Sequence, residues 1–275
     1  MEYSPIKIKE KMAKYGFNLK KMFGQNFIID ENIINNIIDK SDIDKDTLVI
    51  EVGPGAGSLT YKLGKSSKNV IAYEIDTTLK ELLEENINEL DNVEVIYEDF
   101  LKANVNNSLK KYDYKKLYLV ANLPYYITTP IIEKIISDKI PVDKMVVMVQ
   151  KEVGNRFKAQ PNSKEYGSLS VYLNYYFDIK KILDVSKNVF IPKPNVDSIV
   201  VEFIRKKEKH KVKNEELFFK LVRDSFKQKR KTLKNNLKEY NLEKISEILN
   251  KYNLDLSVRA EKLSLDIFID IANNL

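Results

Sequence analysis

The stretch TLVIEVGPGAGSLT, residues 47–60, joins a run of strand-forming residues to a glycine-rich turn and then to a helical pattern. Gly53, Gly55 and Gly57 let the backbone turn sharply and approach a ligand, because glycine has no Cβ. In doubly wound α/β folds such a turn follows the first strand, and ligands bind beyond the carboxyl ends of the strands. The stretch therefore predicts an α/β fold with a ligand site at the turn. The alternative is a tight strand–helix connection without a ligand.

Several apolar, β-branched runs accompany this stretch, with helical patterns between them. The predicted strands are residues 47–52, 69–75, 93–98, 117–121 and 144–149. Strands that are apolar on both faces and alternate with helices, here 78–90 and 127–137, indicate a parallel sheet covered on two sides. Two later runs, 177–185 and 197–204, are expected to form a terminal β-hairpin on the same sheet.

The last quarter of the chain differs from the rest. The lysine-rich segment 206–213 is typical of a solvated linker. Helical periodicity follows it in residues 216–226, 243–252 and 265–275. We therefore predict two domains, residues 1–205 and a small α-helical domain in residues 206–275.

Charge is distributed unevenly along the chain. The formal net charge is +6, and residues 206–275 contain all of the excess, with 17 Lys and Arg against 11 Asp and Glu. A local surplus of positive charge is typical of a protein that binds nucleic acid. The alternative is that the charge only keeps the chain in solution.

Composition excludes several kinds of chemistry. The chain contains no Cys and a single His, His210, which lies in the lysine-rich segment. Disulfides, thiolate chemistry and the usual Ser–His triad are excluded, and no metal cofactor is expected. No run of 18 apolar residues occurs and the N-terminus lacks an apolar segment, which predicts a cytoplasmic protein without a membrane partner.

Two carboxylates follow neighbouring strands of the predicted sheet. Glu74 ends the second strand, 21 residues after Gly53, where a carboxylate can accept hydrogen bonds from both hydroxyls of a ribose. Asp99 follows the third strand and offers an acceptor for the exocyclic amine of an adenine. These features predict an adenosine-containing ligand without deciding between NAD and S-adenosylmethionine (SAM). The alternative is that each acid is an ordinary strand-end carboxylate.

The segment NLPYY, residues 122–126, ends the fourth predicted strand at the same edge of the sheet. An exocyclic aromatic amine is a poor nucleophile because its lone pair is delocalised into the ring. The side-chain oxygen of Asn122 and the main-chain carbonyl of Leu123 or Pro124 can each accept one N–H of such an amine, which localises the lone pair. Tyr125 can stack on the base that carries the amine. The alternative is a proline turn with two packed tyrosines.

These motifs resemble those of the ribosomal-RNA adenine-N6 dimethyltransferases. The segments that carry the resemblance are GQNF (24–27), EVGPGAGSLT (51–60), YEID (73–76), EDF (98–100), NLPYY (122–126), YGSLSV (166–171), FIPKPNVDSIVV (190–201), FKQKRKTLKNNL (226–237) and RAEKLS (259–264). Together they cover nearly the whole chain. Related resistance enzymes that methylate large-subunit rRNA share the first five segments but lack the RKTLKNNL and RAEKLS types. The resemblance therefore favours the small-subunit branch.

The resemblance implies a Rossmann-like SAM methyltransferase domain followed by a helical rRNA-binding domain. The implied cofactor-binding residues are Asn26, Ile28, Gly53, Gly55, Glu74, Asp99 and Asn122. The implied catalytic residues are Asn122, Leu123, Pro124 and Tyr125. Asn26 and Ile28 are expected to contact the methionine end of SAM, Glu74 its ribose and Asp99 its adenine. Phe190 is expected to form a second wall of the base pocket beside Tyr125.

Basic segments supply the implied RNA contacts. Five cationic residues cluster near the start of the second domain, namely Lys227, Lys229, Arg230, Lys231 and Lys234. Further lysines lie in the N-terminal arm, at Lys7, Lys9, Lys11, Lys14, Lys20 and Lys21. Both sets are expected to neutralise rRNA phosphates with little sequence preference, and solvated helix faces are the alternative. Two departures from the family pattern are Ile28, where many members have Leu, and Lys229, where others have Arg.

The implied function is N6-dimethylation of two adjacent adenosines near the 3′ end of small-subunit rRNA during ribosome biogenesis. The expected enzyme is a monomer that acts on this rRNA or on the immature subunit. Two alternatives stay open at this point. One is methylation of large-subunit rRNA, and the other is a non-catalytic ribosome-assembly or nucleic-acid-binding factor. Intact glycine, Glu74, Asp99 and NLPYY segments count against the second alternative.

Overall fold

The computed structural model describes Glu10, residues 26–208 and residues 210–275. Gly24, Gln25 and the six lysines predicted for the N-terminal arm lie outside the described residues. Within the described part, strands form one seven-stranded sheet and one two-stranded sheet. In chain order the strands are β1 (Phe27–Ile28), β2 (Thr47–Val52), β3 (Asn69–Tyr73), β4 (Val93–Ile96), β5 (Lys116–Asn122), β6 (Lys144–Gln150), β7 (Phe177–Val185), β8 (Phe190–Ile191) and β9 (Ser198–Arg205).

The helices of the described residues follow the strands in alternation and then fill the C-terminal part. In chain order they are α1 (Glu31–Ser41), α2 (Ser58–Ser66), α3 (Lys80–Ile87), α4 (Val105–Leu109), α5 (Thr128–Ser137), α6 (Lys151–Phe157), α7 (Ser168–Tyr176), α8 (Glu215–Ser225), α9 (Leu233–Asn236), α10 (Leu242–Asn250) and α11 (Leu265–Asn274). Polar residues cap several of them, as when Asp30 accepts a hydrogen bond of 2.9 Å from the backbone N–H of Asn32 at the start of α1. Among the described helices, none has the length and apolar character needed to span a bilayer.

The large sheet has the strand order β4-β3-β2-β5-β6-β9-β7. Strands β2 to β6 pair in parallel, and β9 pairs antiparallel with β6. All six residues of β2 are buried, which suits the strand of a sheet covered on both faces. Parallel strands present their carboxyl ends at one edge, so the segments after β2, β3, β4 and β5 meet there. The α/β fold and the five parallel strands predicted from sequence are confirmed.

The two late strands also form where the sequence predicts them. β9 and β7 are neighbours at the edge of the large sheet. Their connection is longer than a tight hairpin turn, because it contains a 3₁₀ turn at Lys187–Val189 and the strand β8. Strand β8 pairs antiparallel with β1, with Ile28 opposite Phe190. The two strands predicted to form a hairpin are therefore neighbours in the sheet, and the segment that connects them contains the 3₁₀ turn and β8.

The chain divides into two compact units. One extends to Lys151 and includes Lys180–Ile204, and the other comprises Glu152–Ile179 and Arg205–Leu275. The boundary between Ile204 and Arg205 lies one residue before the one predicted from sequence, and the prediction placed Glu152–Ile179 in the first domain. This segment joins the second unit because its aromatic side chains belong to that unit's core. The Tyr166 hydroxyl, for example, donates a hydrogen bond of 2.9 Å to the carbonyl of Leu263.

Gly57 lies at the start of α2, where a substitution shows whether the glycine turn requires glycine. Its φ is +84°, and a Cβ added there would lie 2.7 Å from Cδ1 of the buried Leu83. Gly57→Ala is therefore expected to lower the free energy of unfolding by about 1–3 kcal/mol, through left-handed backbone strain and overpacking. Urea unfolding followed by circular dichroism measures the change.

Gly167 provides the matched control for this substitution. A Cβ added at Gly167 would meet nothing within 4 Å. Gly167→Ala should change the free energy of unfolding by less than about 0.5 kcal/mol. Equal losses for the two variants would contradict the assignment of strain and crowding to the glycine turn.

Candidate active site

The carboxyl edge of the parallel strands borders one cavity of the first unit. All ten positions predicted from sequence as cofactor-binding or catalytic line it, namely Asn26, Ile28, Gly53, Gly55, Glu74, Asp99, Asn122, Leu123, Pro124 and Tyr125. These positions are spread over about 100 residues of sequence. The fold brings them together because the segments after β2, β3, β4 and β5 end at the same edge.

The glycine turn and Glu74 form one hydrogen-bonded group. One oxygen of the Glu74 carboxylate accepts a hydrogen bond of 3.1 Å from the N–H of Gly55, and the other accepts one of 2.9 Å from the N–H of Asp76. Glu74 is 3% exposed. Burial raises the pKa of Glu74, and the two backbone N–H groups oppose that rise. Each oxygen keeps a lone pair for a further donor, as contact with two ribose hydroxyls requires.

Asp99 is held in place by the turn that follows it. Its Oδ1 accepts a hydrogen bond of 3.0 Å from the N–H of Leu101. Its other oxygen lies 4.0 Å from the amine of Lys102, whose side chain is 83% exposed. An exposed pair at this distance is weak, so Oδ2 can accept a hydrogen bond from a ligand in the cavity.

The charge of the cavity distinguishes between the ligands that the sequence left open. Four carboxyl side chains line it, from Glu51, Glu74, Glu98 and Asp99. Within the described part of the chain, no Lys, Arg or His side chain lines it. This arrangement disfavours the doubly anionic pyrophosphate of NAD and favours a cation such as SAM. A buried oxygen of Glu51 that lacks a hydrogen-bond partner in the described residues also suits a ligand with positively charged or donor groups.

Asn122 is the last residue of β5, and its side chain is fixed by the segment before β1. Its Nδ2 donates a hydrogen bond of 3.0 Å to the carbonyl of Asn26. The Asn122 side-chain oxygen is thereby oriented as an acceptor at the cavity. An amide fixed in this way can hold an exocyclic amine without first losing rotamer freedom.

The turn also decides which main-chain carbonyl can act beside Asn122. The carbonyl of Pro124 already accepts hydrogen bonds from the N–H of Ile127, at 3.2 Å, and from the hydroxyl of Thr128, at 3.1 Å. No described residue donates to the carbonyl of Leu123. Of the two carbonyls that the sequence left open, Leu123 is therefore the one available to an amine.

The two tyrosines of NLPYY have different environments. The Tyr125 hydroxyl shares a hydrogen bond of 2.8 Å with the Ser198 hydroxyl on β9, and the ring is partly buried. Burial raises the pKa of Tyr125. Tyr126 is 56% exposed at the mouth of the cavity. Tyr125 thus presents a ring whose orientation is fixed at its far end, as base stacking requires.

Phe190 does not line the cavity. Its ring is 2% exposed, and its backbone pairs with Ile28 in the small sheet. Other residues at the cavity were missed by the sequence analysis, chiefly Glu51 and Tyr126. Glu51 carried a usable signal, since it is the single charged residue in the otherwise apolar or neutral strand TLVIEV. The hydrogen bond between Ser198 and Tyr125 could not be predicted from sequence, because it depends on the pairing of distant strands.

The predicted RNA-contacting cluster lies on the surface of the second unit, around the connection between α8 and α9. All five side chains are exposed: Lys227, Lys229, Arg230, Lys231 and Lys234. The amine of Lys229 donates a hydrogen bond of 2.6 Å to the carbonyl of Lys164. Within the described residues, no carboxylate lies within 4.0 Å of any of the five cationic groups. Their positive charge is therefore available to a polyanion.

The comparisons with known proteins agree with this geometry. The model of the ribosomal RNA adenine dimethylase family matches residues 16–275. A Staphylococcus aureus protein named ribosomal RNA small subunit methyltransferase A is 49% identical over 274 residues, which cover 96% of this chain and 92% of that protein. The crystal structure of a dimethyladenosine transferase from Plasmodium falciparum has a TM-score of 0.75 at 25% identity, covering 89% of this chain and 95% of that one.

A second solved structure supports the fold. The 23S rRNA methyltransferase ErmE has a TM-score of 0.72 at 23% identity and covers 91% of this chain and 99% of its own. The family match spans both units, and the cavity has the acidic lining that a cationic methyl donor needs. The chain therefore belongs to the ribosomal RNA adenine dimethylase family and is a SAM-dependent rRNA adenine methyltransferase.

Proposed function

We propose that this enzyme dimethylates N6 of two adjacent adenosines near the 3′ end of small-subunit rRNA during ribosome biogenesis. The observation that carries the proposal is the pair of open acceptors at Asn122 and Leu123 beside the fixed ring of Tyr125. The choice of the small subunit is supported by the name of the Staphylococcus aureus relative at 49% identity. The enzyme acts in the cytoplasm as a monomer, on the rRNA or on the immature subunit.

The chemistry follows from the acceptors. The Asn122 side-chain oxygen and the Leu123 carbonyl each accept one N–H of the adenine amine. The nitrogen is then drawn towards tetrahedral geometry, and its lone pair is localised. SAM, when bound, supplies an electrophilic methyl group. The methylated amine loses its proton readily to water, so the site needs no general base and the absence of a nearby histidine is no obstacle.

The residues that line the cavity also make the contacts with the cofactor. Glu74 accepts hydrogen bonds from the ribose hydroxyls, and Asp99 accepts one from the adenine amine of the cofactor. Asn26 and Ile28 contact its methionine end, while Gly53 and Gly55 let the backbone approach it closely. The acidic lining supports this assignment, because the cofactor is a cation; it includes an oxygen of Glu51 that accepts no hydrogen bond from the described residues.

The target base stacks on Tyr125. Stacking of a base on an aromatic ring is worth about 1–3 kcal/mol. A flipped-out adenosine is held between this ring and a second wall. Phe190, which was predicted as that wall, is 2% exposed and does not line the cavity, so Tyr125 is the aromatic wall that supports this proposal.

The exposed cations of the second unit bind rRNA phosphates. Such contacts position the RNA and carry little sequence information. Selection of the two adenosines then depends on the shape of the RNA and on which base can be splayed into the cavity. The excess of positive charge in residues 206–275 supports the assignment of phosphate binding to the second unit and of base selection to the cavity.

The test is methyl transfer from labelled SAM into small subunits that lack the modification, followed by nucleoside analysis. We expect N6,N6-dimethyladenosine at two neighbouring positions near the 3′ end. Small subunits that already carry the modification serve as the control and should take up no label. Label in large-subunit RNA instead would favour the resistance-type activity, and binding without any label would favour a non-catalytic assembly factor.

A further inference from the structure

Glu51 is a carboxyl group in the middle of the core. It is the fifth residue of β2, where it pairs with Ala72 of β3, and it is 1% exposed. It also lines the cavity described above. An ionised carboxylate in such a position is costly unless it is paired or fully hydrogen-bonded.

Glu51 lacks that compensation. Within the described residues, its Oε2 and the hydroxyl of the buried Thr60 on α2 form no hydrogen bond. On the neighbouring elements, the titratable group whose charge acts on Glu51 is another acid, Glu74, which follows β3. No cationic side chain of the described residues lines the cavity. Among the described residues, the nearby Thr60 hydroxyl is therefore the group that favours a negative charge on Glu51, and no cation assists it.

The protonation state follows from these surroundings. Burial raises the pKa of Glu51 to about 8, and the charge of Glu74 adds to the rise while the nearby Thr60 hydroxyl opposes it. At neutral pH and with the cavity empty, Glu51 is therefore mostly a neutral carboxylic acid. A cation placed in the cavity reverses this preference, because opposite charges at close range favour the ionised form.

We propose that Glu51 is the proton-linked group of the cofactor site: it is protonated when the cavity is empty and releases its proton to solvent when the cationic cofactor binds. The proposal rests on the assignment of SAM as the cofactor and deepens it. One proton leaves the Glu51 carboxyl for the buffer as one cofactor enters. By linkage, the cofactor then binds more tightly as the pH rises through the neutral range.

Isothermal titration calorimetry of the full chain with SAM tests this directly. Titrations at pH 7 in buffers of different ionisation enthalpy give the number of protons released. For a group with a pKa of about 8 in the empty site, we expect about 0.9 proton per bound cofactor. The association constant should rise about tenfold between pH 6 and pH 7, below the range in which the ligand's own α-amino group titrates. Absence of proton release from the wild-type chain would overturn the proposal.

Two variants separate Glu51 from the other acids of the cavity. Glu51→Gln keeps the shape of the side chain, so it should bind SAM with almost no proton release and a nearly flat pH profile. Glu98→Gln, at an exposed acid of the same cavity, should lower the affinity for SAM without changing the number of protons released per bound cofactor. Equal proton release from Glu51→Gln and wild type would assign the proton to another group and contradict the proposal.

Melting temperatures measured without ligand test the protonation of Glu51 independently of the identity of the cofactor. An acid whose pKa is raised by folding stabilises the folded state below its unfolded pKa of 4.5, and that contribution is lost as the pH rises through about 8. The wild-type melting temperature should therefore fall relative to that of Glu51→Gln between pH 5 and pH 9. If SAM fails to bind but this difference is present, the cofactor assignment is at fault. If the melting curves stay parallel, Glu51 is not neutral in the empty site and the proposal fails.

Discussion

Replacement of Asn122 by alanine is expected to lower kcat for methyl transfer by about 100- to 1,000-fold, the usual loss when one preorganised polar group at a reacting centre is removed. The amide supplies one of the two acceptors for the target amine, and its Nδ2 bond to the Asn26 carbonyl fixes the orientation. RNA affinity should change by less than about threefold, since the substitution leaves the cationic cluster of the second unit unaltered. Single-turnover methylation and filter binding with the same RNA measure the two quantities.

Asn107→Ala is the matched control for this substitution. Asn107 is an exposed asparagine of α4, and it does not line the cavity. Both its kcat and its RNA affinity should equal those of the wild type. Loss of RNA binding in Asn122→Ala, in parallel with the loss of methylation, would contradict the separation between the chemical site and the RNA-binding surface.

Removal of positive charge from the second unit should produce the opposite pattern. The triple variant Lys227→Gln, Lys231→Gln and Lys234→Gln is expected to weaken RNA binding on the order of 10- to 100-fold at near-physiological salt. The slope of log K against log salt should fall by about 2, because each phosphate contact to single-stranded RNA contributes about 0.7. kcat at saturating RNA should stay within about twofold of the wild type, since the cavity is unchanged.

The control carries the same charge change at other exposed lysines of the second unit. Lys207, Lys211 and Lys244 are suitable, since all three are exposed and lie outside the cluster. Their replacement by Gln alters the net charge equally and should change the salt slope by less than about 1. Equal effects in the two triple variants would show that only overall charge matters, and a local RNA-binding surface would then be excluded.

Much of the first unit could be predicted from sequence, because local rules and the fold agree there. A fully buried parallel strand such as β2 needs an unbroken apolar run, and the sharp turn after it needs residues that tolerate positive φ. Both requirements are visible in the amino-acid sequence, as the apolar run and the glycines that follow it. The ends of successive parallel strands then follow from topology, which is why Glu74, Asp99 and Asn122 could be placed at one edge.

What could not be predicted depends on contacts between distant segments. Residues 152–179 follow β6 directly and carry no sign in their own periodicity that their aromatic side chains enter the core of the second unit. The choice between the carbonyls of Leu123 and Pro124 depends on the hydroxyl of Thr128 and the N–H of Ile127. The surroundings of Glu51, in a cavity that no cationic side chain of the described residues lines, follow from the three-dimensional arrangement and not from the local sequence.

The engaged carbonyl of Pro124 has a consequence for the order of product formation. With that carbonyl occupied, the site offers the amine two acceptors, and adenosine satisfies both. N6-methyladenosine has one N–H left, so one acceptor stays unmatched in the second transfer. The monomethylated product is therefore a branch point: the N6-methyladenosine either rotates its methyl group away and reacts again, or it leaves the cavity. The partition between these fates, rather than the first transfer, sets how processive the enzyme is.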